Sequence, residues 1–140
     1  MRNALLYIWQ LPQNLLGLLL VALYRPERMH KLDNGVEVHY ATRMTGGISL
    51  GKYSLVNTCH YRKDPAESMK RDTVRHEAIG HATQSRYLGW LYLLIIGLPS
   101  IGLPSIVWAA LYGWVIPYTR NGYYKFFTER WAERLAGNKR

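Results

Sequence analysis

Two uncharged stretches limit what this chain can fold into. Residues 3–24 (NALLYIWQLPQNLLGLLLVALY) hold no Asp, Glu, Lys or Arg between Arg2 and Arg25, and residues 87–119 lack them for 33 positions. A membrane helix needs roughly 20 mainly apolar residues, so the first stretch is long enough. Its middle, Gln10-Leu11-Pro12-Gln13-Asn14, would place polar groups and a helix breaker at bilayer depth. The expected form is a membrane-embedded or interfacial helical hairpin kinked at Pro12, with a buried core helix as the alternative. No small-x-small cleavage site follows it, so a secretory signal peptide is not expected. The second stretch carries a tandem repeat, GLPSI at 97–101 and again at 102–106. Two glycines and two prolines in ten residues exclude one straight helix, and the segment is too short for two crossings of about 20 residues each. It either spans once or dips in and returns.

Between these stretches the chain is polar and basic. Residues 25–86 contain 11 of the 18 Lys and Arg, the net charge is +9, and 49% of all residues are hydrophobic. Basic charge alone points to nucleic acid, but no nucleic-acid motif is visible. The basic residues lie between apolar segments, so the expected partner is an anionic membrane surface and not nucleic acid. At 140 residues the chain reads as one domain, 1–140. A single cysteine, Cys59, excludes an intramolecular disulfide and a cysteine-based zinc site.

Residues 35–41 (GVEVHYA) alternate as a strand should, after the turn signal Asn34-Gly35, and residues 44–57 read as one or two short strands punctuated by Gly46, Gly47 and Gly51. A small antiparallel sheet follows, and with the helices an α+β fold. His39 alternates with Val36 and Val38 and reads as an ordinary strand residue; His30 and His60 read as surface residues. Asp64-Pro65-Ala66-Glu67 has the form of a capping box with proline at the first helical position, and Asp72 offers a second helix start.

Residues 72–89 (DTVRHEAIGHATQSRYLG) gather the chemistry. Thr73, Val74, Ala78, Ile79, Ala82 and Leu88 suit a packed helix stopped by Gly89. His76, Glu77 and His81 fall within six positions, the arrangement in which two helical histidines hold zinc and the glutamate takes a proton from water. The working spacing is H-E-x-x-H, with histidines four apart. In HEAIGH they are five apart, roughly 140° around an ideal helix and about 7.5 Å along it. Three readings follow: a single-turn π-bulge near Ile79–Gly80 absorbs the extra residue; Glu77 and His81, four apart, ligate together; or the motif is broken. Farther on, residues 123–136 have helical spacing, with Glu129 and Glu133 on one face.

Five islands resemble a family of small bacterial membrane-associated proteins of zincin type: WQLPQNLLG at 9–17, GGISLGKY at 46–53, TVRHEAIGHATQS at 73–85, LGWLYLLIIGLPS at 88–100 and YYKFFTERWAERLAG at 123–137. The family helix carries H-E-x-G-H followed by a glutamine, as Gln84 follows here, and its C-terminal T-E-x-W-A-D resembles the E-x-x-x-D/E helix of gluzincin metallopeptidases. This chain differs by one extra residue inside the motif, a second copy of G-x-P-S, and Glu133 in place of aspartate. The resemblance implies a compact minimal gluzincin-like fold built from the small sheet, the motif helix, a C-terminal helix and membrane-associated apolar segments at 3–24 and 87–119. It implies Zn2+ held by His76, His81 and Glu129, Glu133 orienting a liganding histidine, and Glu77 as general base. The expected activity is that of a membrane-associated zinc peptidase, with an extended peptide lying against the strands at 46–57. The alternative is a non-catalytic membrane scaffold with a degenerate metal site. Short basic stretches stay cytoplasmic, so the polar parts are expected on the cytoplasmic face of a bacterial inner membrane, with 87–119 re-entrant.

Overall fold

The computed structural model describes residues 2–97 and 127–138. The tandem GLPSI repeat beyond Gly97, the rest of the second apolar stretch and residues 123–126 of the C-terminal segment lie outside the described residues, as does the expectation that this stretch is re-entrant.

The N-terminal stretch forms α1 (Arg2–Trp9) and α2 (Leu11–Tyr24), with Gln10 between them and Pro12 in the first turn of α2. Helical bonding continues across the break, from Gln10 N–H to the Leu6 carbonyl and from Asn14 N–H to the Gln10 carbonyl. Pro12 has no N–H to offer the carbonyl of Ile8. The Trp90 indole N–H donates to that carbonyl instead, at 3.0 Å. The helix break falls at Gln10, two positions before Pro12, and the carbonyl that Pro12 cannot bond is taken by a residue 82 positions away.

Along α2 the polar side chains face inward. Gln13, Asn14 and Gly17 are buried, while Leu15, Leu16, Leu18, Leu19 and Leu23 are 43–62% exposed. Gln13 donates to the Gly89 carbonyl at 2.7 Å, and the Asn14 carboxamide oxygen accepts from Lys52 N–H at 2.9 Å. These bonds fix the helix to the body while its apolar side stays outside, the reverse of an ordinary surface helix. No helix among the described residues is long and apolar enough to cross a membrane.

The polar middle supplies the sheet: β1 (Arg28–Lys31), β2 (Glu37–Ala41), β3 (Gly47–Leu50) and β4 (Tyr53–Asn57), in the order β1-β2-β4-β3. Sequence alternation led to an antiparallel sheet; the sheet is mixed. β1 with β2 and β3 with β4 are antiparallel hairpins, but β2 and β4 pair in parallel, Val38 opposite Ser54 and Tyr40 opposite Val56. After β2 the chain crosses to the far edge as β3 and returns through Gly51-Lys52 into the slot beside β2. The short connection from Ala41 to Gly47 starts β3 at the end where β2 stops, so β3 runs antiparallel to β2, and β4, reversed again by the hairpin, runs parallel to it.

α3 (Pro65–Met69) starts as the capping box proposes, with the Asp64 carboxylate accepting from Ala66 N–H at 2.9 Å. The motif helix then runs as α4 (Asp72–Arg75), a π-helical segment (His76–His81) and α5 (Ala82–Leu88), ending at Gly89 with φ +52°. Val74, Ala78 and Ala82 pack on Val36, Val38, Tyr40 and Val56, sealing one face of the sheet. Complete burial of one such aliphatic side chain stabilises the fold by roughly 1.5–3 kcal/mol. The C-terminal helix α6 (Phe127–Ala136) lies against the π-helical segment.

Candidate metal centre

The extra residue inside HEAIGH is absorbed by the helix itself. Residues His76–His81 form a π-helical turn, whose hydrogen bonds link i to i+5 and which therefore stacks residues five apart. The two imidazoles meet with ring centroids 4.6 Å apart and planes at 90°. Of the three readings of the spacing, the geometry is that of the bulge. Side chains from outside brace it: Ser49 donates to the Glu77 carbonyl at 2.9 Å and Asn34 to the Ala78 carbonyl at 3.5 Å.

α6 supplies the facing carboxylates. Glu129 Oε2 lies 2.9 Å from His76 Nε2 and 3.5 Å from His81 Nε2, and Glu129 is completely buried. Glu133 Oε1 lies 2.5 Å from His76 Nδ1. On the other imidazole, Nδ1 lies 2.8 Å from Gln84 Oε1. Gln84 donates its N–H to the Thr128 carbonyl at 2.7 Å, which turns its oxygen toward the histidine and makes His81 Nδ1 the donor. Gln84 thus holds His81 Nδ1 from behind, Glu133 stands against His76 Nδ1, and both Nε2 atoms are directed at one oxygen of Glu129. This approach is possible because residue 80 is glycine: a Cβ there would stand 2.5 Å from the Ala132 carbonyl oxygen.

The donor set suits zinc. Ligands about 2.0–2.1 Å from a tetrahedral zinc lie roughly 3.3 Å from one another, close to the 2.9 and 3.5 Å separations at Glu129. A second set shares the histidines, since one atom each of His76, Glu77 and His81 fall within 4.8 Å of one another. Glu77 Oε2 is buried and has no hydrogen-bond partner among the described residues. Three carboxylates and two imidazoles are packed together out of water, an excess of negative charge that a divalent cation would balance.

Electrostatics follow from that crowding. Burial raises the Glu77 carboxyl above its ordinary range, against the opposing pull of His81 and His76. For His81, burial opposes the charged form, but the hydrogen bond to Glu129 and the charges of Glu77 and Glu129 outweigh it and raise the imidazole to about 9. For Glu129, burial acts upward, and its hydrogen bonds to His76 and His81 overcome that and lower the carboxyl to about 2. Without a metal, a proton on His81 supplies positive charge to this cluster.

A small cavity of about 40 Å3 lies beside Glu77 and His81, between β3 and the Tyr92–Gly97 turn. Gly47 of β3 makes room for Glu77, since a Cβ there would lie 2.5 Å from Glu77 Oε1. β3 is an edge strand among the described residues, and Tyr92 donates its hydroxyl to the Ser49 carbonyl at 2.9 Å. All five residues drawn from the sequence, His76, Glu77, His81, Glu129 and Glu133, therefore meet in one place. Ser49, Asn34 and Tyr92 were not foreseen, and nothing in their local sequence marks them. Gln84 carried a signal, three positions after His81 and so on its face of the helix. His39 lies in β2 beside Glu37, and His30 meets Tyr40 edge-on and Tyr61 at a tilt, both apart from the cluster.

Comparison with protein-family models, with curated proteins and with solved structures finds no match to this chain.

Proposed function

We propose that this chain is a membrane-associated zinc-dependent hydrolase of gluzincin type acting on peptide bonds, with His76, His81 and Glu129 as ligands and Glu77 as general base. The observation that carries the reading is the convergence of His76 Nε2 and His81 Nε2 on Glu129 Oε2 across the π-turn. Zinc bound there would supply Lewis-acid activation of a water and of the scissile carbonyl. Gln84 holds His81 Nδ1 and with it that ring's tautomer and orientation, and Glu133 lies against His76 Nδ1 as its carboxylate neighbour. Glu77, made more basic by burial, takes the proton from the attacking water and passes it to the leaving amine. The edge of β3 offers main-chain groups along which an extended peptide can align. The outward leucines of α2 and the exposed Trp90, Leu91 and Leu94 support contact with a membrane, and the basic polar surface supports a cytoplasmic position for the cluster.

The alternative, a membrane scaffold with a degenerate site, was motivated by the extra residue in the motif, and the π-turn removes that motive. Metal analysis of the purified full-length protein tests the reading. We expect one zinc per chain, lost in His81→Ala and in Glu129→Ala. Glu77→Gln should keep zinc while losing hydrolysis of a peptide library. Zinc in the wild type no higher than in the two ligand variants would refute the site.

A further inference from the structure

A second, larger cavity of about 330 Å3 lies beneath α1 and shares no lining residue with the His–Glu cluster. Lys31, Lys52 and Arg86 line it, with Glu37 as the one carboxylate. Lys52 is committed to Glu37 at 3.0 Å and sits over the Tyr53 and Tyr7 rings at 4.8 and 5.7 Å. Arg86 gives one N–H to the Asn34 carbonyl and keeps its other donors, and Lys31 is exposed. With one cation balanced by Glu37, the cavity holds two net positive charges.

The rim of this cavity is apolar. On the α1 side Ala4, Leu6 and Tyr7 line it, and one helical turn from Ala4 the exposed Ile8, with Leu5 beside it, continues the apolar surface away from the cavity. Cations in a concavity next to exposed hydrocarbon match one ligand class, an anion carrying a long apolar tail. Arginine and lysine together suit a phosphate, and guanidinium stays charged even when partly buried. A zwitterionic headgroup would bring a cation of its own against Lys31 and Arg86.

We propose that this cavity binds the phosphodiester headgroup of an anionic membrane lipid, whose acyl chains leave past Ala4 and Leu6 onto the exposed Ile8 and Leu5. The assay is co-sedimentation of the full-length protein with vesicles of phosphatidylcholine alone or with phosphatidylglycerol. A parallel titration uses the soluble diester glycerophosphoglycerol. The wild type should bind the anionic vesicles more tightly than the neutral ones. Lys31→Gln with Arg86→Gln should lower anionic binding roughly 30-fold, from about 1 kcal/mol per basic residue at an anionic surface, and leave neutral binding unchanged. Lys31→Gln alone, at an exposed position that cannot unfold the protein, should give roughly 5-fold. The control pair Lys63→Gln with Arg71→Gln removes the same charge from exposed positions outside the cavity and should change binding less than about 3-fold. Equal losses from the two pairs would mean diffuse charge and overturn the site. Soluble diester binding as tight as vesicle binding would overturn the lipid as its source. Zinc content does not enter the readout, so failure here leaves the metal reading untouched.

Discussion

Gly80→Ala tests whether the close approach of α6 is what completes the metal centre. The added Cβ would stand 2.5 Å from the Ala132 carbonyl oxygen and 2.9 Å from its carbon, both backbone atoms that no rotamer change can move. Restoring the 3.4 Å of ordinary contact requires α6 to retreat by roughly 0.9 Å. Glu129 lies one turn before Ala132 on that helix and moves with it, whereas metal ligands tolerate only about 0.2 Å of displacement. Overpacking costs about 1–3 kcal/mol, and alanine's better helix propensity returns about 1 kcal/mol. Metal-free stability should therefore fall by no more than about 2 kcal/mol. Zinc affinity should fall at least 10–100-fold, the range seen when a ligand is misoriented. Urea denaturation of the apoprotein and competition with a chromophoric chelator measure the two quantities separately. A variant that binds zinc within twofold of wild type would refute the argument, because the cluster would then not depend on the spacing of α6.

Further expectations follow from single contacts. Gln84→Ala removes the carboxamide oxygen that accepts from His81 Nδ1 and should weaken zinc binding about 10–100-fold while stoichiometry at saturating zinc stays unchanged. Trp90→Phe leaves the Ile8 carbonyl at the Pro12 kink without its donor and should cost about 1 kcal/mol in urea denaturation, with zinc affinity unaffected. Tyr92→Phe releases the Ser49 carbonyl on the β3 edge, so an inhibitory peptide that pairs with that edge should bind a few-fold more tightly by calorimetry. Burial lowers the His39 pKa despite Glu37 nearby, so the folded state keeps this ring neutral and loses stability as pH falls below the unfolded value near 6.5. The stability difference between wild type and His39→Gln should accordingly shift toward the variant between pH 7.5 and 5.5.

The parts of the fold that were legible in the sequence are those set by local chemistry. Asp64 caps α3, Gly89 stops α5, and Val38 and Tyr40, with Val36 just before them, mark β2 by their alternation. The strand Arg28–Lys31 was missed because three of its four residues are exposed and it shows no apolar alternation. The parallel pairing of β2 with β4 was missed for a different reason. Strand direction is decided by where a hairpin docks, and nothing in residues 44–57 states which neighbour β4 will choose. The inward turn of Gln10, Gln13 and Asn14 was also hidden, since their partners Ser85, Gly89 and Lys52 lie far along the chain.

The His–Glu cluster was legible in its members and not in its geometry. Residue types gave His76, Glu77 and His81, and the spacing of Glu129 and Glu133 put two carboxylates on one face of α6. Spacing alone could not choose between a bulge and a broken motif, because α- and π-turns use the same residues and differ only in which carbonyl each N–H reaches. The choice is made by partners outside the helix. Gly80 lets α6 come close enough for Glu129 to draw both imidazoles together, and Ser49 and Asn34 take up the Glu77 and Ala78 carbonyls. An extra residue that would spread the ligands of an isolated helix thus becomes, inside this fold, the means by which they converge.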